Sequence, residues 1–387
     1  MSHPLNLAEL LSNEELRQHE FPATRNKVFL AHAAVCPLPR RIAQAMQLFI
    51  EAGSHNEQEL GRSLEIARHT RTLAAHLLKV EPAEIALVGP TSLALSYVAA
   101  GFPIQPGDNV LIHFDDYPSN VYPWMALEAR GAEVRRIPVT QPGLIRKEDL
   151  LPLIDDRTRL VALASCHFLS GYRLDLAEIS ACLRQRGIAF CVDAIQTMGA
   201  FPTLGAHCDF LAADAHKWLL GPCAAGILYV NHTWQDRLRP VVYGWHNVRC
   251  PDFISQESLT HPPDARRYEA GTANLIGLVG LGASLELIQE IGIDNIAREL
   301  LRKRSWLIPA LQEKGCSVLH STVDPVNASG IITLDRPNTD LRALHQKLAA
   351  DGIITSLRID RNRRNYLRLT PHFYNTDAEL HQLLERI

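Results

Sequence analysis

The chain has 387 residues and a mass of 43.1 kDa, 47% hydrophobic and 21% charged, which excludes a wholly disordered polymer and supplies enough chain for two domains. Lys and Arg number 39 against 42 Asp and Glu, so the formal net charge is −3 and no nucleic-acid or anionic-membrane footprint is expected. No apolar run approaches the roughly 18 residues of a bilayer span, and the polar, acidic N-terminus lacks the basic and apolar regions of a signal peptide.

The predicted elements alternate in type. EIALV (84–88) reads as a strand, and GPTSLAL turns from it into a helix. DNVLIHF (108–114) is a strand, and SNVYPWMALEARG (119–131) a helix closed by glycine. EVRRI, RKEDLLPLI and RLVALA repeat strand, helix, strand. LDLAEISACLRQRG is an amphipathic helix, and IAFCVDA (188–194) a buried strand ending in a carboxylate. DFLAAD (209–214) and AAGILYV (224–230) are further strands. This rhythm predicts an α/β domain with a largely parallel sheet covered on both faces.

GTANLIGLVGLGASLELIQEIG (271–292) reads as one long helix, after which the pattern becomes a smaller α+β unit. IARELLRKRSWLIPALQEKG, TDLRALHQKLAADG and TDAELHQLLERI are helices; GIITL, IITSL and YLRLTP are strands. The expected division is a large domain over 21–275 and a small domain built from 276–387 with 1–20 packed back on it.

Eight cysteines are spread along the chain without a C-x-x-C pair, so no metal site is expected and reduced, buried thiols of a cytoplasmic protein are. Gly280-x-Gly282 lies inside a helical pattern with no strand directly before it, which excludes a dinucleotide fingerprint. GPTS at 89–92 is better placed: Thr91 and Ser92 open a helix after a strand and offer hydroxyls and amides to an anion. The stretch from Cys191 to Pro222 carries the chemistry. Asp193 ends a buried strand, Gln196 follows, and a second strand runs into Ala215-His216-Lys217-Trp218, so an acid and an amine meet at the mouth of the sheet.

D-A-x-Q followed about twenty residues later by H-K-W-L-x-G-P resembles the cofactor signature of the class V aminotransferases, a group of fold-type I pyridoxal-phosphate enzymes. FLAHAAVCPLPRRI (29–42), DYPSNVYPW (116–124), GWHNV (244–248), RRYEAGTAN (266–274) and LRLTPHFYNT (367–376) resemble that family's other segments, in order. The resemblance implies a seven-stranded, mostly parallel sheet between helices plus the small domain, and pyridoxal 5′-phosphate as cofactor. It implies that Lys217 forms a Schiff base and moves a proton, with Asp193 on the pyridine nitrogen. Gln196 then faces the ring 3-oxygen, and Tyr117 stacks on the ring. Thr91, Ser92 and His216 hold the phosphate, to which Thr272 reaches from a second copy in a homodimer with shared sites. Arg368 forks onto the substrate carboxylate of an amino acid, and His32 lies beside the substrate.

The sequence departs from the pattern in three places. Asp214 stands where many relatives carry a phosphate-binding serine; a carboxylate repels phosphate, so it is expected to orient His216 or a backbone amide. His167 stands where Asn or Gln is common near the 3-oxygen, and is read as a cofactor contact or second acid–base group. Residues 356–368 hold Arg358, Arg361, Arg363 and Arg364 where one desulfurase branch carries its nucleophilic cysteine. That disfavours the thiol route of desulfuration, and Arg358, if it faces the site, favours a substrate with a second acidic group. Amino transfer is the leading expectation; C–S β-elimination and epimerisation use the same frame, and a non-catalytic scaffold is the alternative of another class.

Overall fold

The computed structural model describes residues 5–59 and 61–387. Two short helices, α1 (Leu7–Ser12) and α2 (Glu14–Glu20), come first, each capped by an asparagine side chain that accepts first-turn amides. Strand β1 (Val28–Phe29) leads to α3 (Arg40–His55) and α4 (Ser63–Leu78). The large sheet then accumulates as β2 (Ile85–Val88), α5 (Thr91–Gly101), β3 (Asn109–Ile112), α6 (Tyr122–Met125), β4 (Glu133–Arg136), α7 (Lys147–Leu150), β5 (Thr158–Ala164), α8 (Leu176–Arg184), β6 (Ala189–Asp193), β7 (Phe210–Asp214) and β8 (Gly226–Val230).

Its order is β2-β8-β7-β6-β5-β3-β4, parallel throughout except for β8, which runs against both neighbours. Alternation along each strand divides the core in two. Phe190 and Val192 of β6 and Leu211 and Ala213 of β7 join one apolar cluster; Ala189, Cys191, Phe210 and Ala212 join the cluster on the other face. Both faces are therefore dry, which is why these strands read as continuous apolar runs. The expected helix over 119–131 is broken into 3₁₀ and α turns, because Pro118 and Pro123 remove ladder donors.

Helix α9 (Leu275–Ile291) packs against α3 and α4, and Leu278, Leu281, Leu285 and Ile288 belong to the large-domain core. It is apolar on nearly every side, so it needs cover all round. Helix α9 therefore packs with the large domain although it lies beyond the boundary expected near 275, and a 74° bend at Gly292 separates it from α10 (Ile293–Glu313), whose Ile296 and Leu300 extend the same core. Among the described residues no single helix is long and apolar enough to cross a membrane. Beyond the bend come β9 (Ser317–Val318), β10 (Ile332–Asp335), α11 (Leu341–Ala350), β11 (Ile353–Ile354), β12 (Ser356–Ile359), β13 (Asn365–Leu369) and α12 (Asp377–Arg386). The strands pair antiparallel as β12-β13-β10-β9. IITSL, expected as one strand, is split: β11 leaves this sheet to pair with β1, tying residues 28–29 to the small domain.

The first helices lie on both units. Leu5, Leu10 and Phe21 enter the large-domain core, and Phe21 stacks on Tyr374 at 4.0 Å between ring centroids. Buried Arg17 reaches Glu14 (2.7 Å) and Glu379 of α12 (2.8 Å). Glu379 in turn accepts from Asn375 Nδ2 and the Thr376 amide. Removing the cation leaves Glu379 buried without its counter-charge. Arg17→Ala is thus expected to lose about 3 kcal/mol of unfolding free energy, measured by urea titration; a loss below about 1 kcal/mol would assign the pair no more than a surface bridge's worth.

Candidate active site

The C-terminal ends of the parallel strands open on one crevice. Thr91 and Ser92 follow β2, Tyr117 follows β3, Phe168 follows β5, Asp193 ends β6 and Lys217 follows β7. The small domain closes the crevice with Arg358 of β12 and Arg368 of β13. Together with Ala33, Ala34, Val35, Pro90, Ser119, Ile195, Gln196 and His216 these line a cavity of about 310 Å³.

Lys217 is buried, with its amine 5.4 Å from the centre of the Tyr117 ring. Burial holds the ammonium below its ordinary pKa, against the pull of Asp193, and the Arg368 and Arg358 charges push the same way as burial. Asp193 is buried too, and burial, reinforced by the Asp116 carboxylate, pushes its pKa up. Its one donor among the described residues is the Ile195 amide at 3.0 Å. Asp116 sits behind the site, accepting from the Tyr117 and Ala164 amides and from Asn120, with its pKa raised to about 6 mainly by burial. Because Ala164 pairs with Asp193 across β5 and β6, Asp116 braces the strand that carries the acid. Gln196 donates to the Ala33 carbonyl and accepts from the Trp218 indole, which fixes its amide at the cavity wall.

At the other end of the cavity, the Thr91 and Ser92 amides open α5 with no hydrogen-bond partner among the described residues. The Thr91 hydroxyl accepts from the Asp214 amide at 2.9 Å, leaving its own proton free to donate. The Asp214 carboxylate is turned to the Ala215, Ala224 and Ala225 amides and lies 3.1 Å from His216 Nδ1. It fastens the turn instead of facing an anion.

The arginines are the least satisfied groups. Arg368 is 1% exposed; its Nη1 donates to the Phe168 carbonyl, while Nε and Nη2 have no partner among the described residues. Arg358 Nε is likewise buried and unpartnered. The register puts them together: Arg368 pairs with Ser356, two residues before Arg358 on the same face of β12. Burial, and for Arg368 also the charge of Arg358, pulls both pKa values down.

The family model of aminotransferase class-V matches residues 28–358. The chain belongs to the class V aminotransferase family. This is a family of pyridoxal-phosphate enzymes, and pyridoxal 5′-phosphate is the cofactor of this class V enzyme. A probable cysteine desulfurase of Methanothermobacter thermautotrophicus is 29% identical over 340 residues, covering 85% of this chain and 83% of the relative. A cysteine desulfurase of Salmonella typhimurium is 30% identical over 297 residues, 72% of each chain. A solved cysteine desulfurase of Thermococcus onnurineus superposes with a TM-score of 0.87 at 21% identity, covering 96% of each chain. The cystine C–S lyase C-DES, solved with its product cysteine persulfide, gives 0.86 at 23% identity over 95% of this chain and 98% of that one. The last two likenesses bear on the fold, which is that of fold-type I.

The cavity of this class V enzyme fits the cofactor on its own chemistry. Free first-turn amides meet a phosphate, a buried carboxylate with one donor meets a ring cation, and a desolvated amine meets an aldehyde carbon. Two expected contacts lie elsewhere. His32 is fully buried and spends its ring on the Thr370 carbonyl (2.8 Å) and the Tyr374 hydroxyl (2.7 Å), away from the cavity wall, because the 31–370 bridge pulls it into the domain junction. His167 is held by Ser170 and by the Asp115 carbonyl, and Phe168 takes the place beside the cavity. Thr272 is exposed and outside its own chain's cavity. Asp116 and Phe168 are the functional neighbours that motif reading missed; only the doubled acid of DDYP hinted at the first.

Burial depresses the pKa of His32 to about 4 and those of His113 and His167 to about 3. A histidine with a folded pKa below its unfolded value takes up its proton on unfolding, so its stabilising effect is present at high pH and is lost as pH falls below about 6.5. His32→Gln removes one such group, and the fall in unfolding free energy between about pH 6.5 and about pH 4.5 should shrink by about 2 kcal/mol. An unchanged slope in paired denaturation curves would mean that His32 is protonated in the folded chain.

Proposed function

We propose that the chain is a pyridoxal-phosphate-dependent C–S lyase that cleaves the Cβ–S bond of a cysteine derivative bearing a second carboxylate. The observation that carries the substrate side is the set of buried guanidinium donors, Nε of half-buried Arg358 and Nε and Nη2 of Arg368, that have no partner among the described residues. Two like charges removed from water this way call for two anionic groups in the same cavity. The cysteine desulfurase relatives support cleavage at sulfur over amino transfer. No cysteine lines the cavity, and residues 356–368 contain none, so the sulfur leaves on the substrate's own fragment and not on a protein thiol.

When bound, pyridoxal phosphate takes up the electron pair left at Cα. Thr91, Ser92 and His216 would hold its phosphate. Asp193 would meet the pyridine nitrogen, where a cation would keep both groups charged. Gln196 would donate to the 3-oxygen and Tyr117 would cover the ring. Lys217 would hold the cofactor aldehyde and, as a free amine, would take the Cα proton, with burial favouring its neutral form. Arg368 holds the α-carboxylate in a fork and Arg358 the distal one. The Cβ–S bonding pair departs with sulfur, as a thiolate or, from a disulfide, as a persulfide. Water then completes the carbon fragment to pyruvate and ammonia.

The working unit is a homodimer. Thr272 stands outside its own cavity, and Tyr243, Trp245, Phe253, Ile254 and Leu259 leave apolar surface on the preceding loop. The free cysteines support a reducing compartment such as the cytoplasm.

Incubation of the loaded enzyme with cystine-type disulfides and with cysteine conjugates should release pyruvate and ammonia in equal amounts. Transfer of the amino group to a keto acid without pyruvate would replace the lyase by an aminotransferase. Lys217→Ala should abolish turnover. Arg358→Gln should raise KM about thirtyfold for substrates with a second carboxylate and leave substrates without one unchanged; an equal effect on both would remove Arg358 from distal recognition. Light scattering should give twice the 43.1 kDa chain mass; a monomer would end the shared-site role of Thr272.

A further inference from the structure

Lys217 lies between β7 and β8, in a stretch with no strand or helix ladder to fix its backbone. Successive carbonyls are instead held from separate parts of the chain. His216 O accepts from the Cys36 amide at 2.8 Å, Lys217 O from the Leu220 amide at 3.1 Å, Trp218 O from His372 Nε2 at 2.9 Å, and Leu219 O from the Ser284 hydroxyl. Only His372 among these donors comes from the small domain, and it stands four residues after Arg368.

Resting on the reading of Lys217 as the cofactor lysine, we infer that His372 is a positioning residue. It ties the strand end that carries the substrate's carboxylate fork to the peptide that follows the reactive amine. The Phe373 amide donates to His372 Nδ1 at 2.8 Å, so Nδ1 is the acceptor and the ring proton sits on Nε2, aimed at the Trp218 carbonyl. Burial disfavours the protonated ring, and a proton on the adjacent His32 would oppose it further. The groups facing it are the His32 ring at 5.1 Å, the Trp218 ring at 5.4 Å and the Tyr374 ring at 6.0 Å, with Lys303 nearby bonded to Glu299 and the Phe373 carbonyl.

The same peptide is packed closely by Gly199. This glycine has φ +91°, and a Cβ there would come within 2.5 Å of Trp218 O. A peptide held by a donor and packed against a neighbouring backbone has little freedom to rotate, so the Lys217 side chain starts from a fixed point. The indole of Trp218 donates to Gln196 Oε1 at 2.9 Å. Any shift of this residue therefore reaches the cavity wall by a second route.

The test compares three substitutions in the holoenzyme. His372→Gln keeps an N–H donor near the Nε2 position; His372→Leu has none, and the shorter side chain of His372→Asn carries its amide short of Trp218 O. Three readouts are taken: the pH midpoint of the cofactor's visible band, the fraction of chains in which borohydride fixes the cofactor to Lys217 by peptide mass, and kcat with KM. The leucine and asparagine variants should move the midpoint by about half a pH unit or more and lower kcat about 10- to 100-fold with a smaller change in KM. The glutamine variant should restore the midpoint and stay within about threefold of the parent kcat. Urea midpoints check folding, and if the leucine variant does not fold, the asparagine variant carries the comparison. A folded leucine or asparagine variant with the parent midpoint and trapping overturns the inference, as does a glutamine variant as damaged as the leucine one. Failure of borohydride to fix the cofactor to Lys217 in the parent protein is a different result: it overturns the Lys217 reading itself.

Discussion

A lysine amine and an aspartate carboxylate share the buried mouth of the sheet, and desolvation costs several kcal/mol for each ion. Much of the large domain is arranged around that cost. The acid ends a strand covered on both faces, so it cannot move to water. The amine lies beyond the next strand, on a turn fastened by Asp214 through three amides. Asp116 adds a second buried carboxylate behind the first, which makes the charged form of Asp193 harder to keep in the free protein. A cation arriving at the ring position relieves that tension, so the free site is tuned to be stabilised by what it binds.

The small domain carries the complementary imbalance. Arg358 and Arg368 bring like charges onto one face of a short antiparallel pair, and no carboxylate answers either of them among the described residues. Structural arginines elsewhere in the chain are treated differently. Arg17 meets Glu379 and Arg71 meets Glu269, both as buried pairs. Buried Arg304 meets no carboxylate among the described residues either, but it spends Nη1 and Nη2 on the Ile331 and His320 carbonyls; the two cavity arginines differ in keeping buried donors without a partner among the described residues, which suits a ligand.

The strands of the sheet and the acid–amine pair were legible in the sequence, because each rests on local pattern: apolar runs of strand length, turn residues, and the D-A-x-Q and H-K-W spacing. What was not legible depends on distant packing. His32 carries a motif neighbour's prior but is drawn into the junction by the bridge to Thr370, a contact 338 residues away along the chain. His167 and Phe168 are adjacent in sequence, and the turn after β5, in which Ser170 and the Asp115 carbonyl hold the His167 ring, leaves Phe168 at the cavity. The boundary near 275 reads too early because the packing of α9 on α3 and α4 is a long-range contact that composition does not show. Asp116 was visible as a letter but not as a buried group, since burial is a property of the assembled sheet.

The arginine-rich turn bears on the route taken by sulfur. A loop that ferries a persulfide outward has to leave the site, and this turn is secured to it. Arg361 pairs with Asp115, donates to the Phe114 carbonyl at 2.7 Å and lies 4.1 Å from the centre of the Phe114 ring. Arg364 pairs with Asp335, and Asp360 closes the turn by accepting from the Arg364 amide. Each half-exposed pair is worth about 0–1 kcal/mol, but they share one turn and must all break for it to lift. The segment they grip also carries Tyr117, so lifting the turn disturbs the ring-stacking position as well. A turn without a thiol gains nothing by leaving. In the proposed reaction its value lies in staying, because Arg358 recognises a distal carboxylate only while β12 is held over the cavity.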